Sequence, residues 1–182
     1  MALNIGDSLP QFSMQATDGE TYSSEQLCGA NATVIMFWCN HCPYVIPNQD
    51  RIIAMQRGYR DRGVKFAAVC ANSSESHPAD SFPRMQERAI EKGYNFPYLH
   101  DDSQEVAKAF GAQRTPEVFL FDNEQKLAYH GRIDDNHEDV TQATSHDLKN
   151  AIEAVLSGST PNPQQTGAMG CSIKWKQETQ QA

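Results

Sequence analysis

No Lys or Arg occurs before Arg51, so the opening stretch carries neither the basic n-region of a secretory signal nor an Arg-rich transit peptide. No apolar run exceeds six residues, as in Val34–Cys39, against the roughly 20 that a membrane-spanning helix needs. Internal repeats and long low-complexity tracts are also missing. Positive charge is scarce: 15 Lys and Arg face 23 Asp and Glu, a formal net charge of −8. Nucleic-acid backbones and anionic membranes attract clustered cations, so neither is an expected partner. A cytoplasmic location is the expectation. Cysteine is sparse and odd in number (Cys28, Cys39, Cys42, Cys70, Cys171), which argues against a structural disulfide framework. A C-x-x-C pair in such a chain reads instead as redox or metal chemistry.

The residues that are present describe one folded domain. With 182 residues, 39% hydrophobic and 21% charged, the chain buries a core without staples. Ser8–Tyr22 surrounds the turn signal Thr17-Asp18-Gly19 and predicts a β-hairpin. Thr33–Trp38 and Val64–Ala71 are short apolar runs rich in β-branched residues, the signature of buried strands. Pro43–Asp61, Ser81–Lys92, Asp102–Phe110 and Ser145–Leu156 have helical spacing, and Gly63, Gly93 and Gly111 supply stops for the first three. Glu117–Phe121 and Lys126–His130 alternate as a second hairpin. The order predicts an α/β fold with a mixed central sheet flanked by helices, its functional site at the strand C-terminal ends. The first such end is Trp38-Cys39.

There the chain reads Trp38-Cys39-Asn40-His41-Cys42-Pro43. A thiolate is the reactive form of cysteine, and a helix N-terminus stabilises that anion. Two cysteines three apart in a first helical turn can close a small disulfide. Cys39 is the expected exposed nucleophile and Cys42 the resolving thiol one turn deeper. His41 between them is placed to lower the Cys39 pKa, moving the couple from about −270 mV towards about −180 mV. A zinc half-site would need a second ligand pair, which the scattered Cys28, Cys70 and Cys171 do not supply. Inert core thiols are the other alternative.

WCNHC resembles the thioredoxin superfamily, in which a strand ending in Trp meets a C-x-x-C helix. Pro47 matches that family's helix-kinking proline, and Thr115-Pro116 its Thr–cis-Pro opposite the disulfide. GDSLPQF…DGETYS, CNHCPYV, FPYLHDDSQEVAKAFGAQRTPEVFLFD, GRIDDN and GCSIKWK are similar to a narrower group, the AhpC/TSA-like redoxins. The resemblance implies a thioredoxin-like domain over residues 1–158, with an N-terminal β-hairpin and a helical insertion near Asn72–Phe96. A tail, 159–182, is expected to dock on it. Trp38, Asn40, Thr115 and Pro116 are then the expected substrate-binding residues, Thr115 offering its backbone for β-type pairing. The implied activity is thiol–disulfide exchange with protein or small-molecule disulfides, reset by a reductant such as thioredoxin or glutathione, with no cofactor beyond the redox-active disulfide.

Two departures qualify the resemblance. On the peroxiredoxin pattern P-x-x-x-T-x-x-C, Cys42 takes the peroxidatic position, Cys39 that of Thr and Ile35 that of Pro, while the activating Arg is unmatched; Arg114 is merely near. A thiol peroxidase therefore stands as the alternative enzyme, and a redox sensor whose tail docks through Cys171 as the alternative outside enzymology. Thioredoxins also keep a buried Asp where this chain has Thr33, leaving water or Glu117 to move protons. Cys171 is a candidate accessory thiol. His130–Asp139 is rich in metal-ligand types but lacks a ligand-loop order, so no metal is expected there; Arg132 and Asp134 are read as structural ion-pair residues.

Overall fold

The computed structural model describes residues 2–177; the last five residues of the expected tail, 178–182, lie outside the described residues, as does Met1. A short hairpin opens the fold, β1 (Ser13–Gln15) pairing antiparallel with β2 (Thr21–Ser23) around Gly19, whose φ of +88° the turn requires. It is shorter than the Ser8–Tyr22 span predicted from sequence.

The central sheet follows. β3 (Ala32–Phe37) lies in the middle, parallel to β4 (Val64–Cys70), which is parallel to β5 (Tyr98–His100). After β6 (Arg114–Thr115), β7 (Glu117–Phe121) runs antiparallel to β3, and β8 (Leu127–Gly131) antiparallel to β7. The order is β5-β4-β3-β7-β8, a mixed sheet as the sequence pattern predicts. Every residue of β3 is buried because both sheet faces are covered. Val34, Met36 and Trp38 pack towards Ile52 of α1 (Gln49–Tyr59), Met85 of α2 (Phe82–Lys92) and Ile152 of α4 (Asp147–Leu156). Ile35 and Phe37 face the other way, onto Phe110 of α3 (Glu105–Phe110) and Phe119. Phe37, Phe110 and Phe119 make three edge-on ring contacts, with centroids 5.0–5.8 Å apart.

Three differences from the sequence reading matter for the site. The predicted helix over Pro43–Asp61 begins as an α-helix only at Gln49, after a 3₁₀ turn at Ile46–Asn48. Proline is the cause: Pro47 has no N–H to bond the carbonyl four residues back, and its ring crowds that carbonyl. Next, α3 starts three residues later than predicted, because Gln104 is left-handed (φ 64°) and the Asp101 carboxylate accepts the first free N–H groups, from Val106 and Ala107. Last, three short strands went unpredicted: β5 at the edge of the central sheet, and the pair β6 and β9 (Cys171–Ser172). β6 pairs antiparallel with β9, Thr115 opposite Cys171. Neither is long enough to show a period of two, and their partnership joins chain positions far apart in sequence.

Candidate active site

Cys39 and Cys42 follow β3 directly, in an irregular turn rather than a first α-helical turn. The Cys42 carbonyl accepts from the N–H of Val45 (2.9 Å) and Ile46 (3.0 Å), so Cys42 acts as the N-cap of the turn that leads into α1. Pro43 follows at the position where a missing N–H costs nothing. The Tyr44 N–H at this N-cap position favours the Cys42 anion. The Cys39 thiol lowers the Cys42 pKa most, the Cys171 side chain next, and the backbone N–H groups of Tyr44 and Cys171 add smaller effects. Against the opposing effect of burial, these favour the thiolate of Cys42 and lower its pKa to about 5. One neighbour opposes them: the Thr115 carbonyl oxygen, 3.3 Å away, favours the protonated form.

Cys39 is the opposite case. The Cys42 side chain and burial raise its pKa most, the Thr115 hydroxyl at 3.5 Å opposes them, and the Asp80 charge adds a smaller upward push. The sequence reading placed an exposed Cys39 outside a deeper Cys42. In the structure the two are equally hidden, 3% and 4% exposed. The acidic thiol is the second, chiefly because the Cys39 thiol and the Cys171 side chain both favour its anion.

Cys171 completes the cluster. Its sulfur is 2.7 Å from that of Cys42 and half-buried, and its pKa is raised to about 11, by burial first and then by the Cys42 anion. A cavity of about 340 Å³ opens over all three sulfurs, bordered by His41, His77 and Lys174.

The tail that carries Cys171 is stitched down on both sides. Ile173 donates its N–H to the Gln113 carbonyl (2.9 Å) and buries its side chain in the second core. Lys174 donates to Asn72 Oδ1 (2.9 Å), and its carbonyl accepts from Ser73 (2.7 Å). Gly170 passes so close to Thr115 that a Cβ there would sit 2.2 Å from the Thr115 carbonyl oxygen.

The other expected site residues fall differently. Trp38 is fully buried and gives its indole N–H to Tyr94 (3.1 Å), so it offers no surface to a substrate. Asn40 is also buried: its N–H reaches Asp80 Oδ1 (2.8 Å), its amide the Ala79 carbonyl (2.9 Å), and it accepts from the Tyr98 hydroxyl (2.9 Å). Both work as scaffold, because the insertion after β4 closes over them. His41 is exposed on the cavity rim, and among the described residues no hydrogen bond joins its ring to either sulfur. The Thr115–Pro116 bond is cis, and the Thr115 backbone edge is taken by β9.

Glu117 accepts from the Gln113 and Arg114 N–H groups (2.7 and 3.2 Å) and pairs with His130 (2.8 Å), which orders the approach to Thr115. Arg114 is exposed and bonds the Gly170 carbonyl. Arg132 and Asp134 are each ion-paired, though with Asp147 (2.7 Å) and Arg51 (3.0 Å) rather than with one another. Cys70 is a core thiol raised by burial to about 12, and Cys28 bonds the Ser24 carbonyl.

One residue escaped the sequence reading altogether. Asp80, buried beside the cysteine turn, accepts from Asn40 N–H and from Asn72 Nδ2 (3.0 Å). Thr33, which stands where thioredoxins keep a buried Asp, accepts the Gly29 N–H instead (3.0 Å). A buried carboxylate does lie near the thiols, but it comes from the insertion. Only the Pro78-x-x-Ser81 turn signal ahead of α2 could have drawn attention to it.

The Redoxin family's sequence profile matches residues 4–152, across both cysteines, the insertion and the Thr115-Pro116 corner. The chain belongs to the Redoxin family. No curated protein matches it. Two solved structures are similar over almost the full length. One is an uncharacterized conserved protein from Geobacillus kaustophilus, with 38% identity and a TM-score of 0.91 over 97% of this chain and 94% of that one. The other is a hypothetical protein from Sinorhizobium meliloti, with 32% identity and a TM-score of 0.89 over 97% of each. The thioredoxin domain of a thiol-disulfide oxidoreductase from Bacteroides vulgatus shares the fold at 16% identity, with a TM-score of 0.59 over 71% of this chain and 89% of that domain. As a redoxin the chain has a thioredoxin-like redox function, and among the described residues no helix is long and apolar enough to cross a membrane.

Proposed function

We propose that this redoxin is a thiol–disulfide oxidoreductase whose redox centre is the Cys39–Cys42 pair, needing no cofactor beyond that disulfide. One observation carries the reading: Cys39 and Cys42 open under one cavity against Thr115 of the cis Thr115–Pro116 corner, Cys39 Sγ 3.5 Å from its hydroxyl and Cys42 Sγ 3.3 Å from its carbonyl oxygen, with the Cys42 pKa lowered and the Cys39 pKa raised. The Cys42 thiolate attacks one sulfur of a substrate disulfide, whose S–S bond breaks and releases a thiolate. A mixed disulfide remains on Cys42. Cys39 then gives up its proton and attacks the Cys42 sulfur, releasing the second substrate thiol and closing Cys39–Cys42. Two electrons pass to the substrate; the Cys39 proton goes to one released thiolate and water protonates the other. This order reverses the one expected from sequence, since acidity favours attack by Cys42.

Small-molecule disulfides fit the cavity as it stands, and protein disulfides would have to compete with β9 for the Thr115 edge. Thioredoxin or glutathione would supply the return electrons, and a cytoplasmic setting would keep them available.

The test is single-turnover reduction of a small aromatic disulfide by the reduced protein. Cys42→Ser abolishes the release of the first thiol, while Cys39→Ser keeps it. Undiminished release in the Cys42 variant would refute the assignment. A parallel run with hydrogen peroxide separates the peroxidase alternative, which requires faster consumption of peroxide than of disulfide and a sulfenic acid on Cys42.

A further inference from the structure

The tail strand occupies the edge where an extended substrate would pair, and it does so with a cysteine facing the active thiolate. Thr115 and Cys171 are directly opposite in the β6–β9 ladder, and the Cys171 sulfur is 2.7 Å from Cys42. This is not a lone cysteine near a site by accident of packing. Gly170 permits an approach to Thr115 that any side chain would block, Ile173 buries its own side chain in the core, and Asn72 and Ser73 bind the Lys174 backbone. Cys171 also differs from the pair in access: Cys39 and Cys42 are buried, while Cys171 is half-buried at the cavity wall.

We propose that Cys171 is a third redox thiol, which moves the oxidised bond from the buried pair to the surface. The step rests on the oxidoreductase reading above, which supplies the Cys39–Cys42 disulfide. Cys171 loses its proton and its sulfur attacks that of Cys42. A Cys42–Cys171 bond forms, the Cys39–Cys42 bond breaks, and Cys39 leaves as a thiolate that takes up one proton. No electron is gained or lost, so no further oxidant is needed. The exchange returns Cys39 to a neutral thiol, the form its burial and the Asp80 charge favour. It also presents a half-buried sulfur to the reductant and ties β9 down over the Thr115 edge. In the oxidised state the chain therefore excludes extended polypeptides and is reset from the tail side.

The experiment is disulfide mapping of the full chain after treatment with excess glutathione disulfide, acid quench, alkylation of free thiols and non-reducing peptide mass spectrometry. The expected result is a dominant Cys42–Cys171 cross-link with Cys39 alkylated. Cys171→Ser and Cys171→Ala are both expected to accumulate Cys39–Cys42 and to be re-reduced by thioredoxin about tenfold more slowly than the native protein, as the remaining sulfurs are less accessible. In Cys39→Ser the Cys42–Cys171 bond is expected to form without a lasting glutathione adduct. A native protein carrying only Cys39–Cys42, with Cys171 fully alkylated, overturns the relay and leaves the oxidoreductase reading standing. A protein that forms no intramolecular disulfide at all overturns both. The mapping on native protein decides the matter even if a variant fails to fold.

Discussion

Asp80 holds the backbone of Asn40 from below: its Oδ1 accepts the Asn40 N–H at 2.8 Å while its Oδ2 takes the Asn72 amide at 3.0 Å. The carboxylate of the insertion thereby ties the cysteine turn to the loop after β4, which also receives the tail through Asn72 Oδ1. Three segments far apart in sequence meet at this one buried group.

Asp80→Asn removes the charge and turns one acceptor into a donor facing a donor. One buried N–H is left unpaired, and the expected loss is about 1–3 kcal/mol in urea denaturation. The same substitution removes a negative charge that raises Cys39. In a Cys42→Ser background, the pH midpoint of Cys39 alkylation is therefore expected to fall. An unchanged midpoint would show that the Asp80 charge does not reach the sulfur.

The acidity of Cys42 predicts a specific pH profile. With its pKa lowered from 9.0 to about 5, the thiolate is present above that value and lost below it. Iodoacetamide alkylation of the reduced protein should rise through about pH 5 and stay level to neutrality, whereas an ordinary thiol keeps accelerating towards pH 9. His41→Ala is expected to leave that midpoint in place, because among the described residues no hydrogen bond joins the ring to either sulfur. A shift would restore the tuning role read from sequence.

Gly170→Ala tests how tightly the tail is seated. The new methyl would stand 2.2 Å from the Thr115 carbonyl oxygen and 2.6 Å from its carbon, both backbone atoms that cannot step aside. The tail strand is expected to lift from β6, so trypsin cuts sooner at Lys174 and Lys176 and Cys171 alkylates faster. The core fold, measured by thermal melting, should change little.

Arg51 and Asp134 form a shielded pair, with side chains 10% and 5% exposed. Arg51 Nη1 also bonds Asn48 Oδ1 (3.0 Å) and the Asn136 carbonyl (2.8 Å), bracing the start of α1 against the loop after β8. Arg51→Ala strands a buried carboxylate and is expected to cost about 3–5 kcal/mol. Adding Asp134→Asn should recover part of that loss, and no recovery would mean that packing rather than charge dominates.

Much of the framework was legible in the residues themselves. Apolar runs at Thr33–Trp38 and Val64–Ala71 are buried on both faces and so have one structural solution, and Gly63, Gly93 and Gly111 all take the left-handed φ that stops a helix or turn. The cysteine turn was legible too, because a C-x-x-C after a buried strand is a local pattern. Local pattern could not say which thiol is acidic. That depends on which sulfur receives the neighbouring Cys39 and Cys171 side chains, brought together only in the fold. Nor could it find Asp80 or the partnership of Thr115 with Cys171: these are single residues and two-residue strands, with no period to read. The sequence by itself determined most of the strands and helices and the identity of the thiols, since each shows as a pattern within a few residues. Only the tertiary structure decided the order of the thiols, the carboxylate beside them and the strand that covers them, since those arise where distant segments exclude water together.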